Sequence, residues 1–430
     1  MHHALTAPLR ALVSAALLVI AGCQPPAQPP VDRAATVEPV TSRSATGGKL
    51  LLMHYMPWYK TPAARGAWGS HWTGHEREHQ PDRIKENGLP DIWSHYHPLI
   101  GLYDSTDPDV LECHLLQMKM AGVDGVIVDW YGIKDVADYG EMQSASKALF
   151  RACEDLAMQF SVCYEDRSVN LMVDWGKLAP ADITNHLVET FAWLQAEWFE
   201  APHYTKVDGR PLVLNFGPMY LRDPGPWTAA MEPLPVKPML FSLHHLWRGN
   251  GADGGFTWVH YDPWDGTPTP ETIRNRIGEV FTYFSNNPDE VIVSAYPGFH
   301  DVYKEPHPWL EHRNGDTLRE TLEVAIAGPW PIVQLVTWND YGEGTMIEPT
   351  HEFGYTFLEA IQEARRREVG AAFTFTPEDL RLPAELLALR QAGAAPRERL
   401  QYVAQLIARG YTQMAMLEIA AIKTAAATRP

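Results

Sequence analysis

IVQLVTWNDYGEGTMIEP, Ile332 to Pro349, is the stretch whose reading decides the fold. Ile332, Val333, Leu335 and Val336 form an apolar, β-branched run with the length of a buried strand. The run breaks at once into Trp338-Asn339-Asp340-Tyr341-Gly342-Glu343-Gly344. Two carboxylates, an amide and two aromatics therefore crowd the carboxyl end of one strand. A turn whose Asp and Gly only shape the chain would fit the same letters.

Seven further apolar runs precede it. They lie near Leu50–Tyr59, Gly125–Trp130, Phe160–Tyr164, Pro211–Phe216, Pro238–Leu243, Phe256–Tyr261 and Val291–Tyr296. Helical spacing marks Pro108–Ala121, Met142–Met158, Ala181–Trp198, Pro270–Phe284, Thr317–Ile326 and Tyr355–Arg367. Eight strands, mostly separated by helices, predict an α/β chain of the (β/α)8 TIM-barrel type. The fourth and fifth repeats show no clear helix, and a doubly wound sheet is the alternative. In a barrel the site lies at the carboxyl ends of the strands. Those ends carry His54, Trp58 and Tyr59; Asp129, Trp130 and Tyr131; Glu165; Asn215; His244; Tyr296; and the acid pair. The long loop after the first strand, Lys60 to about Thr106, adds Trp68, His71, Trp72, His95, His97 and Tyr103.

The chain has 430 residues, 15 Trp, 17 Tyr and a net charge of −18. That charge argues against nucleic acid as a partner. Residues 1–23 read as an export signal: Arg10, the apolar stretch Ala11–Ile20, then Val19-Ile20-Ala21-Gly22-Cys23. The ending resembles a bacterial lipobox, which implies cleavage before Cys23 and lipid on its thiol. An ordinary signal peptide is the alternative. Gln24 follows the cysteine, and an outer-membrane anchor, periplasmic or cell-surface, is the expected location. Membrane contact would run through that lipid alone. Residues 24–48, rich in Pro, Ala, Ser and Thr, read as a flexible tether. A catalytic barrel domain is expected over 49–370 and a helical extension over 371–430. Cys113, Cys153 and Cys163 lack metal spacing and read as small buried hydrophobes.

Asp340 and Glu343 are three apart, so a turn can aim both into one pocket. Nearby carboxylates push their pKa values apart, which leaves one proton-bearing acid and one anion. Glycoside hydrolysis uses that division of labour, and aromatic faces and hydrogen bonds hold the sugar. Trp58, Trp72 and Trp130 are candidates for stacking, and equally for packing. His54, His71, His97, His244 and His260 form no HxxH or HExxH helical pair, so no metal and no other cofactor is expected.

Trp338 to Thr345 resemble the signature of glycoside hydrolase family 71, the α-1,3-glucanases. Glu343-Gly344-Thr345-Met346-Ile347-Glu348-Pro349 resembles family 99, the endo-acting α-mannosidases and α-mannanases. His54-Tyr55-Met56-Pro57-Trp58-Tyr59 with Trp68, His71 and Trp72, then His97–Ser105 and Ala121–Gly132, continue the family 99 likeness. The resemblance covers about Leu50 to Arg367. It implies that Glu343 is the general acid and Asp340 the second carboxylate. Family 99 typically has Glu there, thought to deprotonate the sugar 2-hydroxyl with retention. Asp, as here, is the family 71 residue, for which inverting activation of water is favoured. Glu165 matches an acid that contacts substrate in family 99. His54, Tyr59, Trp58, His71, Trp72, His97, Asp129, Trp130, Tyr131, Asn215, His244, Tyr296, Trp338, Asn339 and Tyr341 are the remaining candidates for substrate binding. The expected activity is internal cleavage of an α-linked mannan or glucan. A non-catalytic glycan-binding lipoprotein on the same barrel is the alternative.

Overall fold

The structure, a computed structural model, describes residues 47–259, 269–286, 290–304 and 309–428. The predicted signal, Cys23, nearly all of the tether, and His260 lie outside the described residues.

Eight parallel strands form the barrel: β1 (Leu50–Tyr55), β2 (Gly125–Trp130), β3 (Gln159–Tyr164), β4 (Arg210–Asn215), β5 (Met239–Leu243), β6 (Gly254–Phe256), β7 (Val291–Ala295) and β8 (Ile332–Leu335). β1 pairs with both β2 and β8, and β3 with β4, which closes the ring. Each strand is buried on both faces, which is why the sequence shows near-continuous apolar runs rather than alternation. The alternation survives as two different cores. Leu50, Leu52, Ile127, Cys163, Leu212, Leu214, Ile292 and Ile332 fill the barrel. Leu51, Met53, Val126, Val128, Val162, Val213 and Val333 face the helices.

The main helices around the barrel are α1 (Pro108–Ala121), α2 (Tyr139–Asp155), α3 (Ile183–Leu194), α4 (Pro224–Met231), α5 (Pro270–Phe284), α6 (Asp316–Ala327) and α7 (Thr356–Val369), with shorter helices at Pro62–Arg65, Ser70–Thr73 and Arg167–Asp174. α4 fills the fourth repeat, where PGPWTAAM hides the helical period; Asp223 caps it by accepting from the Gly225 N–H. The fifth repeat has only the single turn Trp247–Gly249. Three more helices follow: α8 (Leu382–Gln391), α9 (Arg397–Ala408) and α10 (Thr412–Ala427). α8 packs on α1, and Arg390 of α8 pairs with Asp109 and Glu112 of α1 at 2.8 and 2.7 Å. α1 is therefore buried on nearly every side, between the barrel and the C-terminal helices. At the base of the barrel the fully buried Arg365 of α7 donates to the carbonyls of Gly122 and Lys49 and to Asp124. It thereby ties the entries of β1 and β2 together. Among the described residues no helix is long and apolar enough to cross a membrane.

Candidate active site

The chain leaving β8 folds back on itself. Thr337 Oγ1 accepts from the Asp340 N–H at 2.8 Å and meets Thr345 Oγ1 at 3.0 Å. Asn339 then locks this turn to the end of β1. Its carbonyl oxygen accepts from Met56 N–H at 2.8 Å, and its amide donates back to Met56 O at 3.0 Å. The Tyr59 hydroxyl donates to Asn339 O at 2.7 Å. From the other side the segment after β7 braces the turn: His300 N–H donates to Glu343 O at 2.7 Å and Val302 N–H to Gly342 O at 2.9 Å. That approach needs the two glycines. A Cβ on Gly342 would lie 2.0 Å from the Tyr303 hydroxyl, and Gly344 has φ +64° with a Cβ position 2.9 Å from His300 O.

The clamped turn presents Asp340 and Glu343 side by side. Glu343 N–H donates to Asp340 Oδ1 at 2.9 Å, and Trp258 Nε1–H to Glu343 Oε2 at 3.1 Å. Burial raises both carboxyls well above the usual range. The Asp340 charge pushes Glu343 further up, while backbone N–H groups of Gly342 and Glu343 favour the Asp340 anion. Glu343 is thus the better proton holder and Asp340 the better anion. Asp129 and Glu165 complete the acid cluster. Both are raised, chiefly by burial, and each feels the Glu343 charge. Tyr131 bonds the Asp129 carboxyl and stacks on Tyr139, with ring centres 5.0 Å apart. His54 sits beneath, fully buried, and burial lowers it to about 4, so it is neutral.

Strand parity sorts the other candidates. His54, Asp129 and Tyr131 share the inward parity. Trp130 does not: its indole lies among Trp193 and Trp198 and donates to Gln143, so it packs against helices and cannot stack on a sugar. Asn215 shares the outward parity of Val213 and is fully buried, away from the cleft. His244 follows the inward Leu243 and packs on Phe284 of α5. Tyr296 is 2 % exposed, its backbone held by Thr321 of α6. Within the loop after β1, Trp72 packs on Tyr59 at 4.1 Å and donates to Tyr103 O, so it too is core. His97 has both ring nitrogens engaged, by Glu352 at 2.9 Å and Pro90 O at 3.0 Å. Trp130, Asn215, Tyr296, Trp72 and His97, with the fully buried Trp338, Tyr341, Asn339 and Tyr59, are packing and hydrogen-bonding groups of the scaffold, and the half-buried His244 faces α5. Trp58 and His71 remain at the rim as a half-buried stacked pair, 4.1 Å apart and 5° from parallel. Burial lowers His71 to about 3, so it is a neutral donor or acceptor.

Trp258 and Glu348 were not singled out from the sequence. Trp258 lies two residues beyond the inward Phe256, so its parity was readable. Glu348, buried behind the turn, accepts from the Tyr103 and Tyr341 hydroxyls at 2.8 and 3.0 Å and meets His114 Nε2 at 3.1 Å. Tyr55 OH holds the other nitrogen of His114 at 3.0 Å. Nothing in the local sequence joins Glu348 to a histidine on α1.

A family model described as glycosyl hydrolase family 99 matches residues 48–176. The chain is 24 % identical over 330 residues to a human glycoprotein endo-alpha-1,2-mannosidase-like protein, covering 68 % of this chain and 67 % of that one. It is 34 % identical over 330 residues to the glycoprotein endo-alpha-1,2-mannosidase of Rattus norvegicus, covering 68 % and 66 %. The solved family 99 endo-alpha-mannosidase of Bacteroides thetaiotaomicron has the same fold, with a TM-score of 0.54 at 16 % identity over 74 % of this chain and 98 % of that one. These matches do not carry the likeness to family 71. With the barrel, the acid cluster at its mouth and these relatives together, the chain is a family 99-like glycoside hydrolase.

Proposed function

We propose that the protein cleaves α-linked mannose-containing glycans or polysaccharides internally, with Glu343 as proton donor and Asp340 as its partner base. The clamped Asp340–Glu343 pair carries this reading, and the endo-α-mannosidase names of the relatives support the substrate class. In the proposed reaction Glu343 protonates the leaving glycosidic oxygen. Asp340 takes a proton from the sugar 2-hydroxyl or from water on the opposite face. Glu165, Asp129 and His54 line the pocket that orients the sugar, with Trp58 and His71 at its rim. The lipobox-like ending at Cys23 supports an exported, lipid-anchored enzyme held at the outer membrane.

A product assay on α-mannan, α-1,3-glucan and high-mannose glycans tests this, with anomers followed by NMR. Retention would assign the 2-hydroxyl as the proton source for Asp340, and inversion would assign water. Saturable binding without any cleavage would sink the catalytic reading. Activity should sediment with membranes, and Cys23→Ala should release it; soluble wild-type activity would refute the anchor.

Trp258→Phe tests the acid assignment through pH. The indole N–H stabilises the Glu343 anion, so removing it raises the Glu343 pKa. The alkaline limb of kcat/KM should move upward by about 0.5–1 unit. An unmoved or lowered limb would show that another group gives up the proton.

A further inference from the structure

We propose that His54, Asp129 and Cys163 form a binding site for a borderline-soft divalent cation of the Zn2+ type on the barrel floor, and that its occupancy inhibits the enzyme. The three residues come from the adjacent strands β1, β2 and β3, with Asp129 and Cys163 in direct register. One ligand atom from each lies within 4.8 Å of the others, and all three residues are buried. Their separation along the chain leaves no local motif, which is why metal spacing was invisible in the sequence.

The surroundings select the coordinating nitrogen. Gln334 donates its amide to Ser294 Oγ at 3.2 Å and Thr257 O at 3.4 Å, which turns its oxygen toward His54 Nδ1 at 3.5 Å. An acceptor at Nδ1 places the proton there and leaves the Nε2 lone pair free to bind a metal. Among the described residues Nε2 has no hydrogen-bond partner although the ring is fully buried. Nitrogen, carboxylate oxygen and thiolate together suit Zn2+, whereas Mg2+ and Ca2+ require six or more oxygens. Zinc bond lengths imply ligand separations of about 3.3–3.8 Å, so side-chain closure of at most about 1.5 Å brings the three atoms to bonding positions. The fourth position would open toward Glu343, whose charge acts on Asp129, and Glu165, whose charge acts on Cys163. Binding releases the Cys163 proton, so affinity should rise with pH.

The test uses the full chain and metal ions alone. Co2+ titration should produce a thiolate-to-metal charge-transfer band that one equivalent of Zn2+ removes and Mg2+ does not. Cys163→Ala should lose the band and bind Zn2+ at least about tenfold more weakly. Zn2+ should inhibit wild-type hydrolysis reversibly, with EDTA restoring it, and should inhibit Cys163→Ala less. Absence of the band in the wild type, or equal Zn2+ affinity in the variant, overturns the site. If Cys163→Ala does not fold, Cys163→Ser replaces it and the wild-type spectrum still decides. The spectral and binding readouts need no substrate, so they stand apart from the reading of the enzyme as a mannosidase.

Discussion

Glu343→Gln is expected to lower kcat by about 10²–10⁴-fold, with KM changed little. The amide keeps the shape and volume of the side chain. The backbone N–H to Asp340 Oδ1 remains, and a carbonyl oxygen can still accept from Trp258. Only the transferable proton is lost. Circular dichroism should show an unchanged fold, and the variant should retain glycan affinity. Substrates with good leaving groups, which need little protonation, should recover part of the rate. Wild-type turnover in this variant would remove Glu343 from the mechanism and with it the function proposed for the turn.

Glu348→Leu is expected to cost about 3–5 kcal/mol of stability. Glu348 is 1 % exposed and serves three donors at once: Tyr103, Tyr341 and His114. Leucine fills much of the volume but accepts nothing, leaving three buried polar groups unpaired. The effect should reach the chemistry as well. Tyr103 accepts from Asn339 Nδ2 at 3.2 Å, and Asn339 holds the acid turn against β1. Urea unfolding measures the first effect, and kcat of the folded fraction the second. A loss below about 1 kcal/mol would mean that the network is not under strain when its acceptor is removed.

The barrel was legible in the sequence because its strands are doubly buried and end abruptly in polar residues. Gly125–Trp130 and Pro108–Ala121 could be read to the residue. The site was legible only in outline. His54, Asp129 and Glu343 stand at strand ends, but so do Trp130, Asn215 and His244, and only register separates inward from outward. A single step of the two-residue period turns Asp129 into Trp130, a cleft carboxylate into helix packing. The walls were less readable still. Asn339 reads as a hydrogen-bonding group for sugar, yet its amide is fully engaged by Met56 and Tyr103. Such pairings join distant parts of the chain and leave no spacing to detect. α4 was hidden for a different reason: Pro and Gly fill its first turn, where helix-breaking letters are tolerated.

α1 is enclosed on both flanks, and this makes the last sixty or so residues something other than an accessory. One side of the helix receives Arg390, while another delivers His114 to the carboxylate behind the acid turn. The C-terminal helices are thus the outer half of a sleeve around the rod that supports the reaction centre. Trimming them would expose a greasy helix to water and loosen its far end at the same moment. A recombinant boundary drawn at the end of α7, where a barrel conventionally finishes, would cut through the protein's foundations rather than at a seam.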